Sequence, residues 1–222
     1  MVNPFVPENT LMTLPIFPLE GALLLPDGEL PLHIFEPRYV AMTKAALKGD
    51  RLIGMIQPCK CPEKFPENVR PYYRVGCIGR IVSYEETAEK HFNLTLQGVA
   101  RFSLLSHELH QDGYRLAQVT CDGFPEDFRE PAPLPECLAR PTLIEKLQTY
   151  LHKEGLYVDW SIADQVPDAR FYTLLAMVCP FKAPEKQALL EAPTFEERCR
   201  LLKSLLDISC AEDHFTDCTR TC

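Results

Sequence analysis

Apolar and polar residues alternate in short runs along roughly the first half of the chain, and turn-forming residues separate one run from the next. Alternation with a period of two is typical of strands that bury one face. The pattern predicts strands over residues 12–18, 22–25, 30–35, 52–57, 72–84, 91–99, 101–109 and 114–121. Because these runs are short and regularly punctuated by Gly, Pro and Asp, we expect a twisted, barrel-like sheet.

One helix is predicted to interrupt this β-rich region. Pro37 suits the first helical position, Tyr39, Met42 and Ala46 share one face, and Gly49 is placed to end the helix. Glu36 then stands just before the helix N-terminus, where the helix dipole favours a carboxylate.

From about residue 141 the apolar period changes to that of helices, and four helices are predicted. Thr194 and Glu197 have the spacing of a capping box at the start of the last one. The residues predicted to face inward are Leu143, Leu147, Tyr150, Leu151, Phe171, Leu174, Leu175, Val178, Leu189, Leu190, Cys199, Leu202, Leu205 and Leu206.

The segment 121–141 between the two regions is rich in proline and acidic residues, which is typical of a linker or extended strap. We place a boundary near residue 130. The sequence therefore predicts an α+β protein, with a β subdomain over 1–130 and a helical subdomain over 131–222.

Composition narrows the class of function. The 222 residues are 46% hydrophobic and 24% charged, as in ordinary globular proteins, and the net charge is −8. Acidic residues outnumber basic ones in both halves, whereas nucleic-acid binding depends on clustered Lys and Arg. We expect no nucleic-acid partner.

The sequence also indicates where in the cell the protein is found. No Lys or Arg precedes Arg38, so the N-terminal segment lacks the positive region of a secretory signal. The apolar runs are shorter than the roughly 20 residues that span a bilayer. These features predict a cytoplasmic protein without membrane contact, and they leave its oligomeric state open.

Ten cysteines are present, and we expect reduced thiols in this setting. Cys77, Cys121, Cys179 and Cys199 lie in apolar runs, where a thiol packs as a small hydrophobe. In the tail, Cys210, His214, Cys218 and Cys222 recur every four residues, but on a straight helix the outer two lie too far apart for one ion. Cys210 and His214 could share an ion only if another segment, such as the one with Cys59 and Cys61, supplied the remaining ligands. We predict a metal-free protein.

Signatures of common enzymes are missing. The sequence contains no G-x-x-x-x-G-K-[ST], G-x-S-x-G or H-E-x-x-H motif. His107, Glu108, His110 and Asp112 cluster near the end of a predicted strand, and such a cluster is more typical of a solvated turn than of a metal site or general base. We predict no catalytic, cofactor-binding or metal-binding residue.

The stretch "LHIFEPRY" at 32–39 joins an apolar run to Glu36 and Arg38. The pair could be an acid and a base, or a structural clamp at a strand-to-helix corner in which the carboxylate caps the helix or pairs with the guanidinium. Two residues two positions apart do not by themselves converge on a cleft, which favours the clamp. Arg38→Ala is then predicted to cost about 2 to 4 kcal/mol.

Three longer blocks carry a resemblance to a known family. "LPIFPLEGALLLPDGELPLHIFEPRYVAMTKAALKGDRLIGMIQP" resembles the beginning of the Lon protease N-terminal domain, with Phe35, Glu36, Arg38 and Tyr39 in its signature run. "VGCIGRIVSY" and "LTLQGVARFSL" are similar to its later glycine-bearing strands. "FYTLLAMVCPFKAPEKQALLEAPTFEERCRLLKSLL" is similar to its helical end.

The resemblance implies a PUA-like β subdomain followed by a helical bundle, which together bind substrate polypeptide for a protease. The family's ATPase and Ser–Lys protease modules follow this region, so we expect a stand-alone, non-enzymatic binding module without cofactors. Its expected partners are unfolded or extended polypeptides, and the receiving partner could be a separate protease or a chaperone. Its expected role is in protein quality control or as a protease-associated recognition factor, with substrate-binding residues unassigned.

Two other functions stay open at this point. PUA-like sheets are also used to bind RNA, which would require Lys and Arg gathered on one face. A small hydrolase built on Cys and His would require a thiol with a lowered pKa beside a histidine in a cleft.

Overall fold

A computed structural model describes residues 11–59, 72–130, 133–138, 140–153, 155 and 166–211. Within these ranges the strands are β1 (Leu11–Pro18), β2 (Glu29–Ile34), β3 (Leu52–Ile56), β4 (Val75–Glu86), β5 (Phe92–Leu109) and β6 (Arg115–Thr120). The helices are α1 (Pro37–Lys48), α2 (Arg140–Lys153), α3 (Asp168–Val178), α4 (Ala183–Glu191) and α5 (Phe195–Ala211). This order confirms the predicted α+β class, with one helix inside the β-rich part.

The strands form a rolled mixed sheet in the order β2-β5-β4-β3-β1-β6. The long strand β5 also pairs with β6, so the pairings of β5, β4, β3, β1 and β6 run round a ring. β1 and β3 are parallel and the other pairs are antiparallel. Register shifts interrupt the β4–β5 and β5–β6 pairings, only three residue pairs join β1 to β3, and β2 lies outside the ring. The sheet is therefore not a regular barrel.

Strand β5 runs unbroken over Phe92–Leu109 with Gly98 inside it, so the prediction of separate strands over 91–99 and 101–109 is wrong. A Cβ at Gly98 would lie 1.9 Å from the carbonyl oxygen of Leu25. Asp27 N–H donates to the Gly98 carbonyl at 3.0 Å, and Gly98 N–H donates to the Gly28 carbonyl at 2.8 Å. The glycine is required for close approach of a second backbone and does not mark a turn.

The chain that crosses Gly98 is the apolar run predicted as a strand over 22–25, and that prediction is also wrong. Leu23, Leu24 and Leu25 are buried, but their backbone is irregular. The run is buried because it lies over the sheet, not because it pairs within it.

Most helical faces agree with the prediction. Tyr39, Met42 and Ala46 of α1 are buried, as are the inward residues predicted for α2 and α4. The capping box of α5 is present, since Glu197 N–H donates to Thr194 Oγ1 and Thr194 N–H to Glu197 Oε2, both at 3.2 Å.

The face predicted for α3 is wrong in part. Val178 is 64% exposed, whereas Tyr172, Ala176 and Met177 are buried. The sequence of this helix is apolar nearly all round, so its periodicity does not determine which face turns inward.

The hydrophobic core joins residues from both parts of the chain. One cluster contains Phe17 and Met42 from the β-rich part together with Leu147, Leu189 and Leu206 from the helices. A smaller cluster lies inside the rolled sheet, and the segment predicted as a linker contributes Phe128 to it from a 3₁₀ turn at Pro125–Phe128. The two-subdomain division near residue 130 stays a prediction.

Arg101 of β5 is 1% exposed and ties the sheet to the helices. Its guanidinium pairs with Asp127 at 2.8 Å, with the same side chain also accepting the Arg101 backbone N–H. It donates to the carbonyls of Leu190, Ala192 and Pro193 at the C-terminal end of α4. A buried charge is stable only with partners of this kind.

Strand β2 lies at the end of the sheet order and pairs only with β5 among the described strands. Pro31 occupies its middle, opposite Thr95. Proline has no backbone N–H and is tolerated in a sheet mainly at such an edge.

Candidate functional site

A groove of about 680 Å³ opens where the end of β1, the start of α1 and the β5–β6 turn meet. Much of its wall comes from the stretch 31–39, which ends β2 and starts α1. The apolar side chains on the wall include Phe17, Leu19, Leu32, Phe35, Tyr39 and Leu109. A concave, mainly apolar surface with a few polar groups is the usual form of a binding site.

Local structure explains why "LHIFEPRY" lies on this wall. β2 ends at Ile34, and Pro37 begins α1, so Phe35 and Glu36 form the corner between them. Tyr39 turns inward and meets the Phe17 ring edge to face at 4.5 Å. Phe35 stays 57% exposed at the groove, although it is large and apolar.

Glu36 and Arg38 form an ion pair beside the groove. Arg38 Nε and Nη2 lie 2.9 and 2.7 Å from Glu36 Oε2, and the guanidinium lies 4.5 Å from the centre of the Tyr39 ring. The Glu36 side chain makes no cap hydrogen bond to the helix. Of the two roles predicted for this carboxylate, the structure therefore shows the ion pair and not the helix cap. Both side chains lie on the groove wall, where they pair with each other.

The exposure of the ion pair lowers the cost that we expect for Arg38→Ala. Both side chains of the pair are about two-fifths exposed, at 41% and 43%, so removal of Arg38 leaves no buried carboxylate unpaired. We now expect the free energy of unfolding to fall by about 1 kcal/mol or less. Thermal unfolding compared with Arg200→Ala, which breaks another exposed pair, checks this. A loss above about 2 kcal/mol would support the larger cost predicted from the sequence.

The opposite wall comes from the β5–β6 hairpin, which contributes Leu109, Tyr114 and Arg115. Gly113 at the turn has a φ of +83°, and a Cβ there would lie 3.5 Å from Arg38 Cβ. The turn therefore packs closely against the first residues of α1. The sequence offers no local signal that these distant segments meet.

The two histidines of the predicted cluster contact different partners. His107 Nδ1 lies 3.0 Å from Arg115 Nη1, and burial together with the Arg115 charge lowers the pKa of His107. His110 stacks on Tyr114 at 4.4 Å and lies 3.4 Å from Asp112. Across the described residues, no group of three side chains could hold a metal ion.

The buried thiols confirm the packing role predicted for them. Cys77, Cys121, Cys179 and Cys199 are free and buried. Burial raises the pKa of Cys121 to about 11, raises those of Cys179 and Cys199 to about 12, and raises that of Cys77 further. Neutral thiols are poor nucleophiles, which disfavours a hydrolase built on these four.

Cys59 is half-buried and lies on the groove wall with His33. His33 Nδ1 lies 2.7 Å from the Asn93 side-chain oxygen, and its ring stacks on Phe35. Cys61, His214, Cys218 and Cys222 and the side chain of Cys210 lie outside the described residues, so the metal-free prediction stays a prediction.

No helix in the described ranges is both long enough and apolar enough to cross a membrane.

Comparison with known proteins matches most of the chain to one family. The family model for the ATP-dependent protease La (LON) substrate-binding domain matches residues 13–207. The match covers β2 to β6 and all of β1 except its first two residues. It also covers α1 to α4 and most of α5.

Curated relatives are similar over part of their length. Lon protease of Syntrophus aciditrophicus (strain SB) is 24% identical over 192 residues, which are 84% of this chain and 24% of that protein. Lon protease of Anaeromyxobacter dehalogenans (strain 2CP-C) is 32% identical over 98 residues, which are 44% of this chain and 12% of that protein. The chain thus spans at most about a quarter of these relatives.

Solved structures show the same fold. The Lon N-terminal domain protein from Xanthomonas campestris aligns with a TM-score of 0.56 and 20% identity, over 88% of this chain and 98% of that one. The N-terminal domain of the Mycobacterium avium complex Lon protease aligns with a TM-score of 0.57 and 16% identity, over the same shares of the two chains.

Proposed function

The chain belongs to the ATP-dependent protease La (LON) substrate-binding domain family, and we propose that it binds exposed segments of substrate polypeptides in the groove between α1 and the β5–β6 hairpin. The observation that carries the proposal is the family's signature stretch on the wall of an apolar groove. Phe35, Glu36, Arg38 and Tyr39 then belong to a binding surface as well as to a structural corner.

The exposure of the groove residues supports this role. Phe35 and Leu109 are 57% and 65% exposed and lie on the same groove. Large apolar side chains gathered on a concave surface are typical of interaction sites. An extended polypeptide could cover them with its own apolar side chains, which would bury area from both partners.

The proposed role is recognition without catalysis, in protein quality control or as a protease-associated recognition factor. The bound polypeptide would pass to a separate protease or to a chaperone, and the setting would be the cytoplasm. The net charge of −8 and the Glu36–Arg38 pair on the groove wall give no support to the alternative of RNA binding.

The proposal predicts that an apolar groove variant loses affinity for unfolded polypeptide. A reduced, alkylated and fluorescently labelled polypeptide is titrated with the protein, and binding is followed by fluorescence anisotropy. In Phe35→Ser/Leu109→Ser we expect the Kd to rise about tenfold or more, because two apolar contacts are lost. Gel electrophoresis of the mixture should recover the polypeptide uncleaved.

Leu105→Ser is the matched control. Leu105 lies on the same strand as Leu109 and is 56% exposed, but it is not on the groove wall. Its substitution should leave the Kd unchanged. Equal affinity of all three proteins would place the binding surface elsewhere, and no binding by the unaltered protein would refute the proposed function.

A further inference from the structure

Two arginines lie on the groove wall, and they differ in how their charge is balanced. Arg38 directs both Nε and Nη2 at one oxygen of Glu36. That pair is internally neutralised. It therefore offers an incoming ligand little net charge.

Arg115 has a different environment. Its Nη1 contacts Nδ1 of His107, and since a guanidinium can only donate, Nδ1 must be the acceptor. A histidine that accepts in this way is neutral, in agreement with the lowered pKa of His107. Among the described residues no carboxylate forms an ion pair with Arg115, so its positive charge is not neutralised within the part of the groove that the structure describes.

The apolar part of the groove lies next to this charge. Leu109 is the direct cross-strand partner of Arg115, and Tyr114 precedes it in the chain. Both side chains lie on the wall together with Arg115. A ligand that covers Leu109 therefore brings its neighbouring residues close to the guanidinium.

We infer that the groove selects extended polypeptide segments in which a large apolar or aromatic side chain is followed or preceded closely by a carboxylate, which pairs with Arg115. This inference rests on the proposed function, and it names the class of segment that the groove prefers. The carboxylate could belong to Asp or Glu or to the C-terminus of the polypeptide, because all present the same acceptor geometry to a guanidinium.

The overall charge of the protein does not oppose this preference at physiological salt. The net charge of −8 is spread over the whole chain, whereas screening limits exposed charges to a range of about 8 Å at 0.15 M salt. A carboxylate in contact with Arg115 therefore responds mainly to Arg115. Acidic groups farther away contribute little.

The test uses four short, labelled peptides, of which three have acetylated and amidated ends and differ only at one position. Each carries one phenylalanine with a neighbouring Glu, Gln or Lys, and a fourth peptide has Gln with a free C-terminal carboxylate. At about 0.15 M salt we expect the Glu peptide to bind about 2- to 5-fold more tightly than the Gln peptide, and the Lys peptide to bind most weakly. The fourth peptide shows whether a terminal carboxylate serves equally well.

Arg115→Gln should remove the difference between the Glu and Gln peptides, and Arg115→Glu should reverse it in favour of Lys. Arg129→Gln is the charge-matched control, because Arg129 is exposed and pairs with Glu126 away from this groove. Circular dichroism confirms that each variant is folded. In Arg129→Gln the preference for Glu should persist.

The outcomes separate this inference from the proposed function. If the Glu and Gln peptides bind equally to the unaltered protein, or if Arg115→Gln keeps the preference, the inference is wrong while polypeptide binding stands. If neither these peptides nor the unfolded polypeptide binds, the proposed function itself fails.

Discussion

Arg101→Met should lower the free energy of unfolding by about 3 to 5 kcal/mol. The substitution leaves the buried side chain of Asp127, which is 5% exposed, without its guanidinium partner. It also leaves the carbonyls of Leu190, Ala192 and Pro193 without the donor that binds them. Methionine fills most of the volume, so the loss comes mainly from unpaired buried polar groups.

Urea unfolding followed by circular dichroism measures this loss. Arg200→Met is the matched control, because Arg200 pairs with Glu196 on the exposed face of α5 and should cost less than about 1 kcal/mol. The double variant Arg101→Met/Asp127→Leu should recover part of the stability, since it removes the buried carboxylate as well. A single variant as stable as the control would show that the contact between sheet and helices does not depend on Arg101.

Gly98→Ala should lower the free energy of unfolding by about 3 kcal/mol, at the upper end for an added methyl group in a packed core. The new Cβ would lie 1.9 Å from the Leu25 carbonyl oxygen and 2.7 Å from the carbonyl carbon. The obstacle is backbone, so the whole segment over the sheet must shift. The two backbone hydrogen bonds that Gly98 exchanges with Asp27 and Gly28 would lengthen or break.

The same urea measurement applies, with Gly123→Ala as the control. A Cβ at Gly123 would have Ser103 Oγ as its nearest neighbour at 3.8 Å, which is ordinary contact. That control should change the stability by less than about 1 kcal/mol. If both variants unfold alike, the segment does not press on Gly98 in solution.

Arg101 and Gly98, the two positions with the largest predicted effects, have tertiary contacts that the local sequence did not predict. Arg101 stands in a strand pattern like any exposed polar residue, and its partners lie 26 to 92 positions away in the chain. Gly98 has the appearance of a turn residue, because the backbone that crosses it, at Leu25 to Gly28, is also far away in the chain and leaves no local signal. Both depend on tertiary contacts that no window of neighbouring residues contains.

Segments whose pattern is set locally were predictable. The strands and helices largely coincide with runs of period two or 3.6, and the Thr194 box marked the start of α5. The corner at Phe35 to Tyr39 was predicted from Pro37 and the end of the apolar run, and the family resemblance agreed with it. The groove was not predicted, because its second wall, with Leu109 and Arg115, comes from a hairpin far along the chain.

Strand β2 has a consequence for a protein proposed to handle unfolded chains. Such chains add readily to an open sheet edge, and the resulting backbone pairing propagates into aggregates. Pro31 interrupts the row of donors on this edge, and Glu29 adds an exposed charge that pairs with Arg170. On the proposed function, a polypeptide held in the groove by side-chain contacts would find no continuous row of backbone donors on β2 on which to extend the sheet.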